Sequence, residues 1–122
     1  MKSVRRTQEI LPIDQPVSES AIRVVLISDT HDCELTKLNL PTGDVLIHAG
    51  DFSRDGGKGQ IKDFNKQLGE ISHLFRRIIV IAGNHDIGLD TDPELKGLFT
   101  NCTYLEDESL SLCGYNLYGS PW

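Results

Sequence analysis

Three short apolar runs, each ending abruptly in polar residues, set the pattern of the chain. Residues 22–28, 45–49 and 78–82 are rich in β-branched side chains, the composition of strands buried on both faces of a sheet. Each run is followed at once by groups that bear chemistry. Asp29 and His31 follow the first, Asp51 the second, and Asn84, His85 and Asp86 the third. Between the second and third runs, Ile61, Phe64, Leu68 and Ile71 recur at spacings of three and four. That spacing predicts an amphipathic helix over 60–72 with one buried face. Strand, helix and strand then form a βαβ unit with a right-handed crossover. Gly83 separates the third run from its polar end and lets the backbone turn where a side chain would obstruct. An open α/β sheet presents a site in this way, because ligands bind beyond the carboxyl ends of its strands.

The flanking stretches are less regular. Residues 1–20, with Pro12 and Pro16 and no sustained periodicity, read as an N-terminal arm, and residues 10–13 within it as a short edge segment. The folded domain is expected over 21–122. Residues 29–42 read as a loop and 41–44 as a turn that launches the second strand. Gly56, Gly57 and Gly59 make a glycine-rich loop, but no Gly-Lys-Ser/Thr follows, so it is not a P-loop. Residues 87–91 read as a loop. Asp92 and Pro93 predict the cap and first turn of a short helix through Phe99. Residues 102–105 read as a fourth short strand. Leu110 and Leu112 alternate with serines, Cys113 and Gly114 supply a turn, and residues 115–118 return as a hairpin partner that begins a second sheet.

Composition narrows the classes. A chain of 122 residues with 39% apolar and 25% charged residues fits one soluble globular domain. Its net charge of −6 argues against a nucleic-acid polymer or an anionic membrane as partner. It leaves room for a small phosphate ester, since bound cations reverse a local field. Cys33, Cys102 and Cys113 show no C-x-x-C spacing and read as reduced thiols. No apolar segment follows the charged first residues and no run is long enough to span a bilayer, so a cytoplasmic protein is expected.

The strand ends carry the candidate chemistry. Asp29 and His31 lie two apart, so in an extended conformation both side chains leave from one face. Asp51 adds a carboxylate and Asn84 an amide oxygen. Singly, each could be a turn former at a strand end. Together they read as metal ligands, and a carboxylate can bridge two ions. His48, inside the second strand, reads as a hydrogen-bonded core histidine behind the site, and His73 as a favourable charge at a helix C-terminus. Arg54 reads as a solvated loop residue, with a contact to a substrate phosphate as the alternative.

The ordered set D-x-H (29–31), G-D (50–51) and G-N-H-D (83–86) resembles the calcineurin-like metallophosphoesterase superfamily. It is closest to the metallophosphoesterase-domain-containing branch related to class III cyclic-nucleotide phosphodiesterases. Residues 64–69 (FNKQLG), 100–105 (TNCTYL) and 118–122 (YGSPW) carry the same likeness. The resemblance implies an α/β metallophosphoesterase-type sandwich of two β-sheets flanked by helices, here its N-terminal part. It also implies two divalent metal ions, with Asp29 and His31 on the first, Asp51 bridging and Asn84 on the second. His85 would be the general acid, with Asp86 fixing its tautomer. The nucleophile would be a metal-bridging hydroxide, and the substrate a small phosphomonoester or a cyclic-nucleotide-type phosphodiester. Oxygen and nitrogen ligands without thiolate suit manganese, iron, zinc or nickel.

The pattern also departs from the family's. Its members complete both metals with later histidines, and no histidine here lies after His85. The expectation is therefore an incomplete catalytic domain, with its first sheet left open on one face as a surface for self-association. Tyr115, Tyr118 and Trp122 would pack the absent half. The alternative is a truncated non-catalytic protein that binds a partner or a nucleotide through the residual half-site.

Overall fold

Four parallel strands form one sheet, and a two-stranded antiparallel hairpin follows as a second. The computed structural model describes residues 21–121. The arm expected over 1–20, its edge segment at 10–13, and Trp122 lie outside the described residues. Strands β1 (Val24–Ile27), β2 (Val45–His48), β3 (Arg77–Val80) and β4 (Thr103–Tyr104) lie side by side in chain order. Helix α1 (Lys58–Ile71) makes the crossover between β2 and β3. Its stripe of Ile61, Phe64, Leu68 and Ile71 is buried against the sheet with Leu46, Ile78 and Val80. Phe52 stacks on Phe64 at 4.3 Å between ring centres, packing the loop after β2 onto the helix.

The hairpin pairs β5 (Glu108–Leu112) with β6 (Tyr115–Gly119). Cys113 and Gly114 turn between them with φ of 52° and 82°, the left-handed geometry that two-residue hairpin turns require. The hairpin covers part of the sheet's other face, where Val45, Ile79, Leu105 and Leu112 form a smaller apolar cluster. The α/β class, the crossover and the separate hairpin are as the sequence predicts, in a partial metallophosphoesterase fold.

Three local expectations are corrected. Strand β1 is not buried on both faces: it is the sheet edge, and Val24 and Leu26 are 41% and 69% exposed. Residues 87–91 are not all loop, because a short helix α2 (Gly88–Thr91) forms there. Asp92 makes no side-chain cap, and Pro93–Leu98 is a 3-10 helix begun by the proline alone.

A side-chain clamp joins α1 to the segment before β4. Asn65 Oδ1 accepts from the backbone N–H groups of Thr100 (3.0 Å) and Asn101 (2.9 Å), and Asn65 Nδ2 donates to Thr100 Oγ1 (2.9 Å). Gly69 lies under Asn101, whose Nδ2 would sit 2.8 Å from any Cβ at that position. The 64–69 and 100–105 stretches therefore serve packing. Among the described residues no helix is long and apolar enough to cross a membrane.

Candidate metal centre

Three loops leave the carboxyl ends of β1, β2 and β3 and are stitched together by backbone hydrogen bonds. The N–H groups of Asp29, His31 and Asp32 donate to the carbonyls of Gly50 (2.9 Å), Asp51 (3.1 Å) and Phe52 (2.9 Å). Reaching those acceptors puts Asp29, His31 and Asp32 in the left-handed region, with φ of 58°, 44° and 65°. Asp and His tolerate this region better than bulky or β-branched residues. The expectation that Asp29 and His31 converge through an extended backbone is thereby corrected: left-handed backbone at each of them turns the loop. Asp51 is left-handed as well, at φ 59°.

These turns gather one side chain from each loop. His31, Asp51 and His85 each offer a ligand atom, and the three lie within 4.8 Å of one another. The His31 and His85 rings meet edge to face at 4.8 Å, and Asp29 Oδ1 lies 4.0 Å from His31 Nε2. A divalent ion bound by nitrogen and oxygen at about 2.0–2.2 Å spaces its ligand atoms about 3–4 Å apart, so this set would have to draw closer to hold one. The donors are imidazole and carboxylate without sulfur, the set suited to borderline and hard divalent metals. Asp29 Oδ2 accepts from the Ser28 hydroxyl at 2.5 Å, which holds the Asp29 carboxyl below the usual carboxylate range. Asn84 is exposed beside His85, and its amide makes no hydrogen bond among the described residues.

Behind the cluster, His48 is fully buried. Its Nδ1 accepts from the Gly50 N–H at 3.2 Å, which leaves the proton on Nε2 to donate to Thr30 Oγ1 at 2.9 Å. The ring thus pins Thr30, between Asp29 and His31, to the second strand. Burial lowers its pKa to about 4, against the opposing pull of the Asp29 and Asp51 carboxylates, so the ring is neutral. This agrees with the sequence reading of His48.

The pairing expected between His85 and Asp86 is not what the structure has. His85 Nδ1 faces the Arg54 carbonyl at 3.3 Å. Because a carbonyl only accepts, that bond places the proton on Nδ1 and leaves Nε2 free. Asp86 points the other way and is fully buried. Its Oδ2 accepts from the N–H groups of Asp51 (2.7 Å) and Gly83 (2.8 Å), and its Oδ1 from the N–H of Ser53 (3.0 Å) and the Ser53 hydroxyl. Gly83 is needed for close approach, since a Cβ there would stand 2.2 Å from Asp51 Oδ1. Arg54 is exposed on the rim, its Nε 3.7 Å from Asp32 Oδ2.

A family model described as calcineurin-like phosphoesterase matches residues 22–121, nearly the whole described chain. The chain belongs to the calcineurin-like phosphoesterase family. Among its curated relatives is a UPF0046 protein of Caenorhabditis elegans, 37% identical over all of this chain and 50% of the relative. Another is human metallophosphoesterase domain-containing protein 1, 36% identical over 92% of this chain and 41% of the relative. The chain thus spans half, or less, of the length of these relatives. His85, expected as an acid, stands in the same cluster as His31 and Asp51. Ser53 and the Arg54 carbonyl have no counterpart among the sequence expectations. Ser53 carries only a weak signal, a hydroxyl two residues beyond Asp51, and a carbonyl contact carries none.

Proposed function

We propose that this chain carries the ion-binding part of a metal-dependent phosphoesterase acting on phosphomonoesters or cyclic-nucleotide-type phosphodiesters. The observation that supports it best is the gathering of His31, Asp51 and His85 from three separate strand ends within 4.8 Å. Asp29, His31, Asp51 and Asn84 would hold the divalent ions, in the order the family pattern implies. When bound, such ions supply Lewis-acid charge and acidify water near neutral pH. The residues themselves would do the rest. His85, its Nδ1 engaged by the Arg54 carbonyl, keeps Nε2 free to carry a proton to the leaving oxygen. His48, held neutral and bonded to Thr30, keeps the Asp29–His31 turn in place. Arg54 stands on the rim, where a guanidinium can meet a phosphate oxygen.

A second reading is ion or nucleotide binding through these residues without turnover. One experiment separates the two. Hydrolysis of an aryl phosphate and of 2′,3′-cyclic AMP is followed with added manganese for wild type, Asp51→Asn and His85→Ala. The phosphoesterase reading expects manganese-dependent turnover that both substitutions abolish. Equal rates for wild type and Asp51→Asn contradict it, and ion binding without turnover supports the second reading.

A further inference from the structure

Strands β2 and β3 part company just where the site begins. Their last register pair is His48 with Val80, and beyond it Ile81 N–H still reaches the His48 carbonyl at 3.1 Å. Further on, the N–H groups of Asp51, Ser53 and Gly83 have no strand to pair with. A buried N–H without an acceptor costs about 1–3 kcal/mol. The Asp86 carboxylate takes all three, together with the Ser53 hydroxyl, so each of its oxygens accepts two hydrogen bonds. It is 0% exposed.

The arrangement is reciprocal. Asp51 donates its N–H to the Asp86 carboxylate, and the Asp51 carboxylate accepts at 2.9 Å from the N–H of His85, the residue before Asp86. Each acid therefore holds the segment that carries the other. Asp51 is kept at a left-handed φ of 59° with one oxygen already engaged, which fixes the direction in which its carboxylate meets an ion. The backbones are too close for slack: a Cβ at Gly56 would lie 2.8 Å from the Asp86 carbonyl carbon and oxygen, and one at Gly88 2.0 Å from the Gly56 carbonyl oxygen.

We propose that Asp86 is the positioning residue of the ion site, setting the Asp51 carboxylate and the His85 imidazole against His31, and that it handles no proton itself. This rests on the metal-site reading above. Groups that orient metal ligands typically change affinity about 10–100-fold when altered. Asp86→Asn keeps the size but puts an NH2 group where one carboxylate oxygen accepts two hydrogen bonds, so at least one backbone N–H loses its acceptor and its segment must shift. Ser53→Ala removes a single donor and leaves the backbone in place.

The test is titration of the full chain with Mn2+, following affinity by calorimetry and folding by circular dichroism. Asp86→Asn is expected to bind about 10–100-fold more weakly than wild type, and Ser53→Ala to show a smaller loss in the same direction. Asn65→Ala, which loosens the α1 clamp and touches no group of the site, is expected to melt earlier yet bind Mn2+ as wild type does. If Asp86→Asn does not fold, Ser53→Ala decides the question. Wild-type affinity in a folded Asp86→Asn or Ser53→Ala overturns the inference, as does an equal loss in Asn65→Ala. Wild type that takes up no Mn2+ overturns the metal-site reading and this inference with it, so the two failures are distinguishable.

Discussion

The backbone N–H of His85 donates to Asp51 Oδ1 at 2.9 Å, so the imidazole of the third loop and the carboxylate of the second are carried on one rigid unit. The contact depends on Gly83, because any Cβ there would stand 2.2 Å from Asp51 Oδ1 and 2.5 Å from its backbone nitrogen. Gly83→Ala must push the loops apart. It is expected to lower stability by about 1–3 kcal/mol, the range for inserted bulk in a packed region. Thermal melting of the two proteins checks this, and an unchanged midpoint counts against the close approach.

His48 makes stability depend on pH. The imidazole of the unfolded chain takes a proton near 6.5, while burial holds the folded one down to about 4. Between those values the unfolded state binds more protons, so stability falls as pH falls. The contribution is complete above about pH 6.5 and is lost progressively down to about pH 4, on the order of 3 kcal/mol in all. Urea unfolding across that window, with a chelator present, is expected to show a steeper loss for wild type than for His48→Asn. Parallel slopes for the two proteins contradict it.

The centre and the edge of the parallel sheet predict opposite tolerance. Leu46 on β2 is fully buried in the main core, whereas Leu26 on β1 is 69% exposed at the edge. Leu46→Ala is expected to cost about 2–5 kcal/mol. Leu26→Lys is expected to change stability by less than about 0.5 kcal/mol, as surface substitutions do. Denaturant midpoints measure both. A large loss at Leu26 would mean that this face is covered in solution.

Asn65 is expected to matter out of proportion to its exposure. Its side chain holds two backbone N–H groups and one hydroxyl of residues 100–101. Asn65→Ala leaves those N–H groups to solvent and is expected to cost about 1–2 kcal/mol, while Lys66→Ala beside it costs little. Chemical denaturation of the pair reads the difference.

Much of this was legible in the sequence, because it is written locally. The unbroken apolar runs name β2 and β3, the spacing of Ile61, Phe64, Leu68 and Ile71 names α1, and Cys113-Gly114 names the hairpin turn. The order of Asp29, His31, Asp51 and His85 at strand ends points to one rim of the sheet. What was not legible depends on neighbours. Nothing adjacent to Leu26 says that its strand lies at an edge. The left-handed turns at Asp29, His31 and Asp51 accompany N–H groups that find their acceptors in a neighbouring loop. His85 and Asp86 are consecutive polar residues, yet one faces solvent and the other is buried under four hydrogen bonds. Only the meeting of two loops separates their roles.

The claim on which the account rests is that Asp29, His31, Asp51 and Asn84, at the rim beside His85, hold divalent ions, and calorimetric titration with Mn2+ near neutral pH tests it most directly. Wild type is expected to bind at least one ion per chain, and Asp51→Asn to bind at least about tenfold more weakly. Failure of the wild-type chain to take up Mn2+, or equal affinity in the two proteins, would contradict it.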